Sequence, residues 1–288
     1  MEYIEYYNQI VKNRQSCRDF ASREVSQDTI DDILKYYKEC PNLVVDVDTD
    51  LVIYDGSIRE KLGDTIGYNG FSVEAPKYAI LFSEKKEHYL ENAGFLIQGV
   101  TLKLTQIGLS ACWLTINDQD KADQILAHDR DKTVSAILAF GYSNEGSTNK
   151  RIDIKSPSNV KLVESSSKAA PKIAIDDLLY SKYYGNKINK ELLYTELMDS
   201  LLSVSMSQSF FNRQPYRVIV DDDIISLIGI DDEMTGAIDK YLNYGIAMFN
   251  FYAVMESVRK NAPMWSFAVP DRDLKLPDNA QFIAKCNI

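Results

Sequence analysis

The 288-residue sequence predicts an α+β fold built from two pseudo-symmetric halves, and three observations predict it. Two segments are apolar around most of a helical circumference. They are Ala93, Leu96, Ile97, Val100, Leu104 and Ile107, then Ile246, Phe249 and Ala253 on one face with Met248, Phe251, Met255 and Val258 on another. Each leads into a tryptophan, Trp113 and Trp265, 152 positions apart (265 minus 113). Shorter helical and strand-like runs recur around both in the same order.

In chain order, Val25, Ile30, Ile33 and Leu34 predict a helix leading to Cys40-Pro41. Leu192, Leu197, Leu201 and Leu202, leading to Gln208-Ser209, answer it at an offset of 167 (192 minus 25). Strands follow at Leu51–Tyr54 and Tyr78–Phe82 in the first copy and at Tyr216–Val220 in the second. The two offsets differ, so the first copy carries extra loop. Its apolar helix is closed by Gly108, a residue suited to the left-handed turn that ends helices. Ser135–Gly141 reads as a further strand, with Gln281–Lys285 as its partner. A polar stretch containing Ser165-Ser166-Ser167 joins the copies, which places the first half at residues 1–155, the connector at 156–171 and the second half at 172–288. Composition alone leaves open two unrelated helical hairpins of similar make-up.

Hydrophobic residues at 45% and charged residues at 26% describe an ordered globular chain, and a net charge of -10 argues against nucleic acid as a partner. The N-terminus lacks a basic region followed by an apolar run, and no stretch is long enough to span a bilayer, so no membrane partner and a cytoplasmic location are expected. Four cysteines (Cys17, Cys40, Cys112, Cys286) form no CxxC pair and only His88 and His128 are present, which predicts reduced thiols and no metal site. Both histidines are expected at the surface. Trp113 and Trp265 are expected in packing roles, and the acidic runs Asp221–Asp223 and Asp231–Glu233 as helix caps or solvated turns.

One stretch departs from the acidic background. Arg14-Gln15-Ser16-Cys17-Arg18-Asp19-Phe20 crowds two guanidinium forks and a hydroxyl together, a donor set suited to an anion, although a solvated loop would look the same in sequence. With the copies aligned through Val25 and Leu192, Arg14, Ser16 and Arg18 fall opposite Ser181, Tyr183 and Gly185. The second copy has no counterpart of Lys150-Arg151 either. Conversely, Ser209-Phe210-Phe211-Asn212-Arg213-Gln214-Pro215-Tyr216 offers amides and hydroxyls that Asn42-Leu43-Val44-Val45-Asp46 lacks. Complementary losses are expected of a fused symmetric dimer that kept one composite site.

These residues also carry a family resemblance. Arg14-x-Ser16-x-Arg18-x-Phe20, Glu91-Asn92-Ala93-Gly94, Gly108-Leu109-x-x-Cys112-Trp113, Ala139-Phe140-Gly141-Tyr142 with Lys150-Arg151, and Ser209-x-x-Asn212-x-Gln214-Pro215-Tyr216 together resemble the nitroreductase family of FMN-dependent oxidoreductases, in its single-chain duplicated form. The resemblance implies an antiparallel sheet flanked by helices in each half, buried central helices at a pseudo-dimer interface, and a monomer acting as a pseudo-dimer.

It further implies FMN as cofactor, with Arg14, Lys150 and Arg151 on the phosphate and Gln15 and Ser16 on phosphate or ribityl. Arg18 would meet the pyrimidine edge, the backbone of Leu114 and Thr115 would lie near flavin N5, and Ser209 and Asn212 would approach from the other half, with Gln214, counted among the cofactor-binding residues, and Tyr216 shaping the turn. NAD(P)H would be a transient hydride donor, consistent with the lack of a GxGxxG after a strand. The acceptor would be a small molecule such as a nitroaromatic or quinone, with ping-pong kinetics. A flavin-binding store or sensor with little turnover is the alternative. Gln208, Tyr216 and Thr115 depart from the family pattern on the substrate side. Tyr68-Asn69-Gly70-Phe71 is a candidate pocket lining or a plain turn.

Overall fold

The computed structural model describes residues 6–67, 71–129, 131–144, 149–156, 159–165, 170–259 and 262–288. The chain divides into two compact units: Asn13–Ala170, and Pro171–Ile288 joined by the start of the chain through Lys12. The break at Ala170/Pro171 lies one residue from the start expected for the second half, and residues through Lys12 join that unit.

In the unit spanning residues 13–170, α1 (Gln27–Glu39) begins where Ser26 caps it, its Oγ accepting from the Thr29 amide at 3.3 Å. There follow β1 (Thr49–Asp55), α2 (Ile58–Leu62), β2 (Lys77–Glu84), α3 (Tyr89–Gln106), β3 (Ser110–Leu114), α4 (Gln119–Leu126), β4 (Lys132–Gly141) and the hairpin β5 (Asn149–Ser156) with β6 (Asn159–Ser165). The main sheet is antiparallel in the order β1-β2-β4-β3, registered by Leu51 opposite Leu81, Ile80 opposite Ile137 and Cys112 opposite Ala139.

Both faces of this sheet are covered, so β2 and β4 read as continuous apolar runs instead of alternating ones. On one face α3 lies against β2, β3 and β4, and side chains from Leu90 to Leu102 are buried without a break. On the other, Tyr78, Ile80, Phe82, Cys112 and Leu114 pack with Ile58 and Leu62 of α2 and Ala122 of α4. Each large apolar side chain buried there contributes about 1.5–3 kcal/mol. Gly108 ends α3 as expected: at φ 79° it lets Leu109 N reach Leu104 O at 2.8 Å, while its own N–H donates to Thr105 O at 3.2 Å.

The other unit contains a π-type helical turn (Tyr6–Val11), α5 (Ile175–Leu178), β7 (Leu179–Ser181), α6 (Thr195–Ser205), β8 (Tyr216–Asp221), β9 (Ile224–Ile230), α7 (Ala237–Val258) and β10 (Ala280–Asn287). The sheet order is β10-β9-β8-β7, antiparallel apart from the parallel pairing of β7 with β8. α7 packs on α6 and β9, and side chains Leu242 to Phe251 are buried throughout. The approach of α7 requires Gly229 in β9, because a Cβ there would collide with the Tyr244 hydroxyl and lie 2.7 Å from its ring carbon.

Two readings of the sequence change. Leu192 is 81% exposed in a 3-10 turn (Lys190–Leu192), so the helix begins at Thr195 and Leu192 is no part of its apolar face. Asp221–Asp223 faces solvent, as expected, in the turn between β8 and β9, with Asp222 at φ 50°. Residues 159–165, expected in a connector, pair as β6 with β5, Ile152 opposite Leu162. Among the described residues no helix is long and apolar enough to cross a membrane.

Candidate functional site

The arginine-rich stretch is a strap along the edge of the first sheet. β3 is an edge strand, so one row of its backbone groups is open, and Ser16 bridges Ala111 in parallel with Cys17 N donating to Ala111 O at 2.9 Å. The strap then passes the end of β4, where Ala21 N donates to Tyr142 O at 2.8 Å and Asn144 N to Asp19 O at 3.0 Å. Gly141 makes room for it: a Cβ there would lie 2.7 Å from Pro76 Cδ and 3.4 Å from Phe20.

This anchoring converges the cations. Arg18 Nη1 donates to Lys150 O at 3.2 Å, and Lys150 Nζ lies 3.6 Å from the Asp19 carboxylate. Arg14 is half-buried, and among the described residues its guanidinium has no ion-pair or hydrogen-bond partner. Burial pulls its pKa down from the usual guanidinium range to about 10, with Arg18 adding to the fall and Cys112 opposing it. Burial likewise pushes the Cys112 thiol up while Arg18 and Arg14 hold it back, so both guanidinium groups act on the same point of β3. Cys17 is raised by burial and donates weakly to Asp19 O at 3.1 Å. An uncompensated guanidinium in a low-dielectric setting beside a second one favours an anion.

The other residues expected here are placed as follows. Gln15 is exposed and Ser16 half-buried. Leu114 is buried at the end of β3, and Thr115 follows it, its carbonyl accepting from Gly67 N at 2.9 Å. The backbone of Arg151 lies in β5, but its side chain falls outside the described ones, as do residues 68–70. Asp19, whose carboxylate faces Lys150, had no role in the sequence reading; its adjacency to Arg18 was the available signal.

In the second unit the loop between α6 and β8 carries Ser209, Asn212 and Gln214. Asn212 N donates to Ser209 O at 2.9 Å and Gln214 N to Ser209 Oγ at 2.8 Å, which closes a tight loop. Phe211, Asn212 and Gln214 take φ of 50°, 57° and 48°, a left-handed conformation that non-glycine residues adopt at a cost. Gln214 is buried, donating to Ser205 O at 2.5 Å and accepting from Ile173 N at 2.8 Å. Those bonds make it a brace of the loop, in keeping with the turn-shaping role expected of it. Asn212 Oδ1 accepts from Lys172 Nζ at 2.9 Å, and its Nδ2 donates to Pro171 O. Arg213 is neutralised by Asp232, with Nη2 2.8 Å and Nε 3.1 Å from one oxygen, so this loop holds no counterpart of the unpaired Arg14. Lys172 and Asp232 were missed because their partners are distant in sequence.

The expectations for the aromatics and histidines resolve individually. Trp265 is buried against Phe251 and donates to Met248 O at 3.1 Å. Trp113 is half-buried, with an indole N–H that has no partner among the described residues. His88 and His128 are half-buried, and His128 stacks on Phe82 at 4.0 Å while facing Asp50.

Residues 6–254, spanning both units, match the family described as "Putative TM nitroreductase". The chain belongs to this nitroreductase family. A solved structure described as a "putative nitroreductase", from Thermotoga maritima, is 18% identical and aligns over 100% of this chain and 94% of its own, with a TM-score of 0.59. That likeness shows the shared fold across the whole length. An FMN-dependent nitroreductase from Clostridium difficile is 19% identical, over 49% of this chain and 90% of its own, with a TM-score of 0.43. A nitroreductase family protein from Clostridium novyi is 17% identical, over 50% and 87%, with a TM-score of 0.44. A comparison with curated proteins gave no match.

Proposed function

We propose that this nitroreductase-family chain binds FMN and acts as an oxidoreductase, taking hydride from NAD(P)H and passing it to a small acceptor such as a nitroaromatic or a quinone. The observation that carries the reading is the half-buried, unpartnered Arg14 guanidinium beside Arg18 on the β3 edge. A phosphate of about -1.5 to -2 charge would supply the missing counter-charge there, so the donor set fits the cofactor.

When bound, FMN would supply the two-electron redox chemistry between donor and acceptor. The chain's own residues bind and orient. Arg14 and Lys150 hold the phosphate, with Arg151 assigned alongside them by family position. Gln15 and Ser16 contact phosphate or ribityl. Arg18, with one nitrogen fixed on Lys150 O, keeps further donors for the pyrimidine edge, where it stabilises the negative charge of the reduced cofactor. The backbone at Leu114 and Thr115 is assigned to the N5 side, and Ser209 and Asn212 to the cofactor from the second unit. No general base is required, because the nicotinamide transfers hydride directly. We further take the chain to be a duplicated form that works as a monomer in the cytoplasm.

The test is the visible spectrum of the purified protein, followed by anaerobic titration with NADH or NADPH. A flavin band that bleaches and returns on adding a quinone is expected; protein that stays colourless after incubation with FMN overturns the reading. The second reading, a flavin store or sensor, draws on the Asn212 amide being engaged at both ends by Lys172 and Pro171, which leaves less to contact a ligand. Colour without bleaching faster than free FMN would favour it.

A further inference from the structure

The two long helices share an Asn-x-Gly pattern, Asn92-Ala93-Gly94 in the first turns of α3 and Asn243-Tyr244-Gly245 further along α7. The two asparagines do the same thing in their own units. Asn92 is 0% exposed and its Oδ1 accepts from Val44 N at 3.0 Å, in the loop after α1; Asn243 is 2% exposed and its Oδ1 accepts from Phe210 N at 3.0 Å, in the loop after α6. In both, Nδ2 is buried with no partner among the described residues. A buried amide with an unmet donor is costly, and an apolar side chain of similar shape would avoid that cost. What each asparagine supplies in return is one clasp on a loop backbone.

The loops that receive the clasps differ. The one at Val44 carries the 83% exposed Val45 and no residue proposed for the cofactor. The one at Phe210 carries Ser209 and Asn212, and leads directly into the three left-handed residues. A loop with that backbone needs to be held in place before a ligand arrives, since ordering it on binding would weaken affinity. The loop's other described fixings act through Ser209, Asn212, Arg213 and Gln214, whereas the Asn243 clasp acts on the Phe210 amide.

We propose that Asn243 is a positioning residue, which presets the Ser209–Gln214 loop for the cofactor by clasping the Phe210 amide, and that Asn92 is its duplicate, retained for structure alone. The ligand half of this proposal rests on the FMN reading. The matched variants Asn243→Leu and Asn92→Leu separate the two roles. Both lower the melting temperature, but only Asn243→Leu weakens FMN binding, by about tenfold, the loss of one preset backbone bond. Equal weakening in both, or none in Asn243→Leu, overturns the proposal.

Amide hydrogen exchange of the wild-type protein gives a second readout, needed if Asn243→Leu fails to fold. The Phe210 amide should exchange at least about 100-fold slower than an unstructured amide of the same sequence, and exchange at the unstructured rate overturns the clasp. Wild-type protein that takes up no FMN overturns the cofactor reading and the ligand half of the proposal with it, while Phe210 protection still decides the clasp.

Discussion

Arg14 illustrates how a residue proposed to hold the cofactor can lower the stability of the fold that presents it. With its pKa pulled to about 10 by burial, the charged form is disfavoured in the folded state relative to the unfolded one, where the guanidinium keeps its usual higher pKa. The unfolded chain therefore binds more protons above about 10, and the penalty, full below that pH, is relieved as pH rises from there toward the ordinary guanidinium range. Arg14→Met should raise the melting temperature of the flavin-free protein by a few degrees at neutral pH, and thermal scans at increasing pH should show that advantage shrinking. The same variant should weaken FMN binding by on the order of 100-fold, the loss of a charge-assisted phosphate contact, yet leave riboflavin binding nearly unchanged because riboflavin has no phosphate. Fluorescence titration with both flavins checks it, and equal loss for both would move the phosphate away from Arg14. The residue types of this strap were legible in sequence, since two arginines in an acidic chain stand out. Which of them lacked a partner was not, because Asp19, Lys150 and Cys112 meet them only in the fold.

At the scale of elements, the close approach of α7 to β9 sets how much disturbance the second unit tolerates. Gly229→Ala puts a methyl where the Tyr244 ring sits, and overpacking of this kind costs about 1–3 kcal/mol. Chemical denaturation should show a lower midpoint with an unchanged slope; an unaltered midpoint would mean that Tyr244 yields freely. Gly108→Ala meets no neighbour, so its expected cost of about 1 kcal/mol comes from φ 79° alone. Both long helices were legible because a helix apolar around its circumference has to be enclosed by the rest of the fold. β9 was not: Ile224-Ile225-Ser226-Leu227-Ile228-Gly229-Ile230 follows an acidic triplet that reads as solvated surface, whereas the triplet is its turn. β3 was hidden for a different reason, as five residues including Ala111 and Cys112 carry little strand propensity and depend on pairing with β4.

For the whole molecule, two halves were legible in the order of elements, but the unit that the opening residues join was not. The opening residues belong with the distant half: Tyr7, Ile10 and Val11 are buried against α6 and α7, and burial with nearby Asp199 raises the Tyr7 hydroxyl to about 12. Nothing in a short apolar segment says which of two similar partners it will join. Deleting residues through Val11 removes three buried side chains worth about 1.5–3 kcal/mol each. Hydrogen exchange should then show lost protection across α6 and α7 with the sheet of β1 to β4 unaffected; uniform loss in both would contradict the assignment of that segment.

That arrangement makes one unit an insertion within the other. During synthesis the residues from Asn13 to Ala170 emerge as a contiguous stretch and can complete their sheet while translation continues, but the strand Ala280–Asn287 follows the other strands of its sheet, so its unit stays open until that strand has been made. A nascent chain stalled after Ala170 would present the arginine strap on a formed scaffold while the clasped loop had yet to be built.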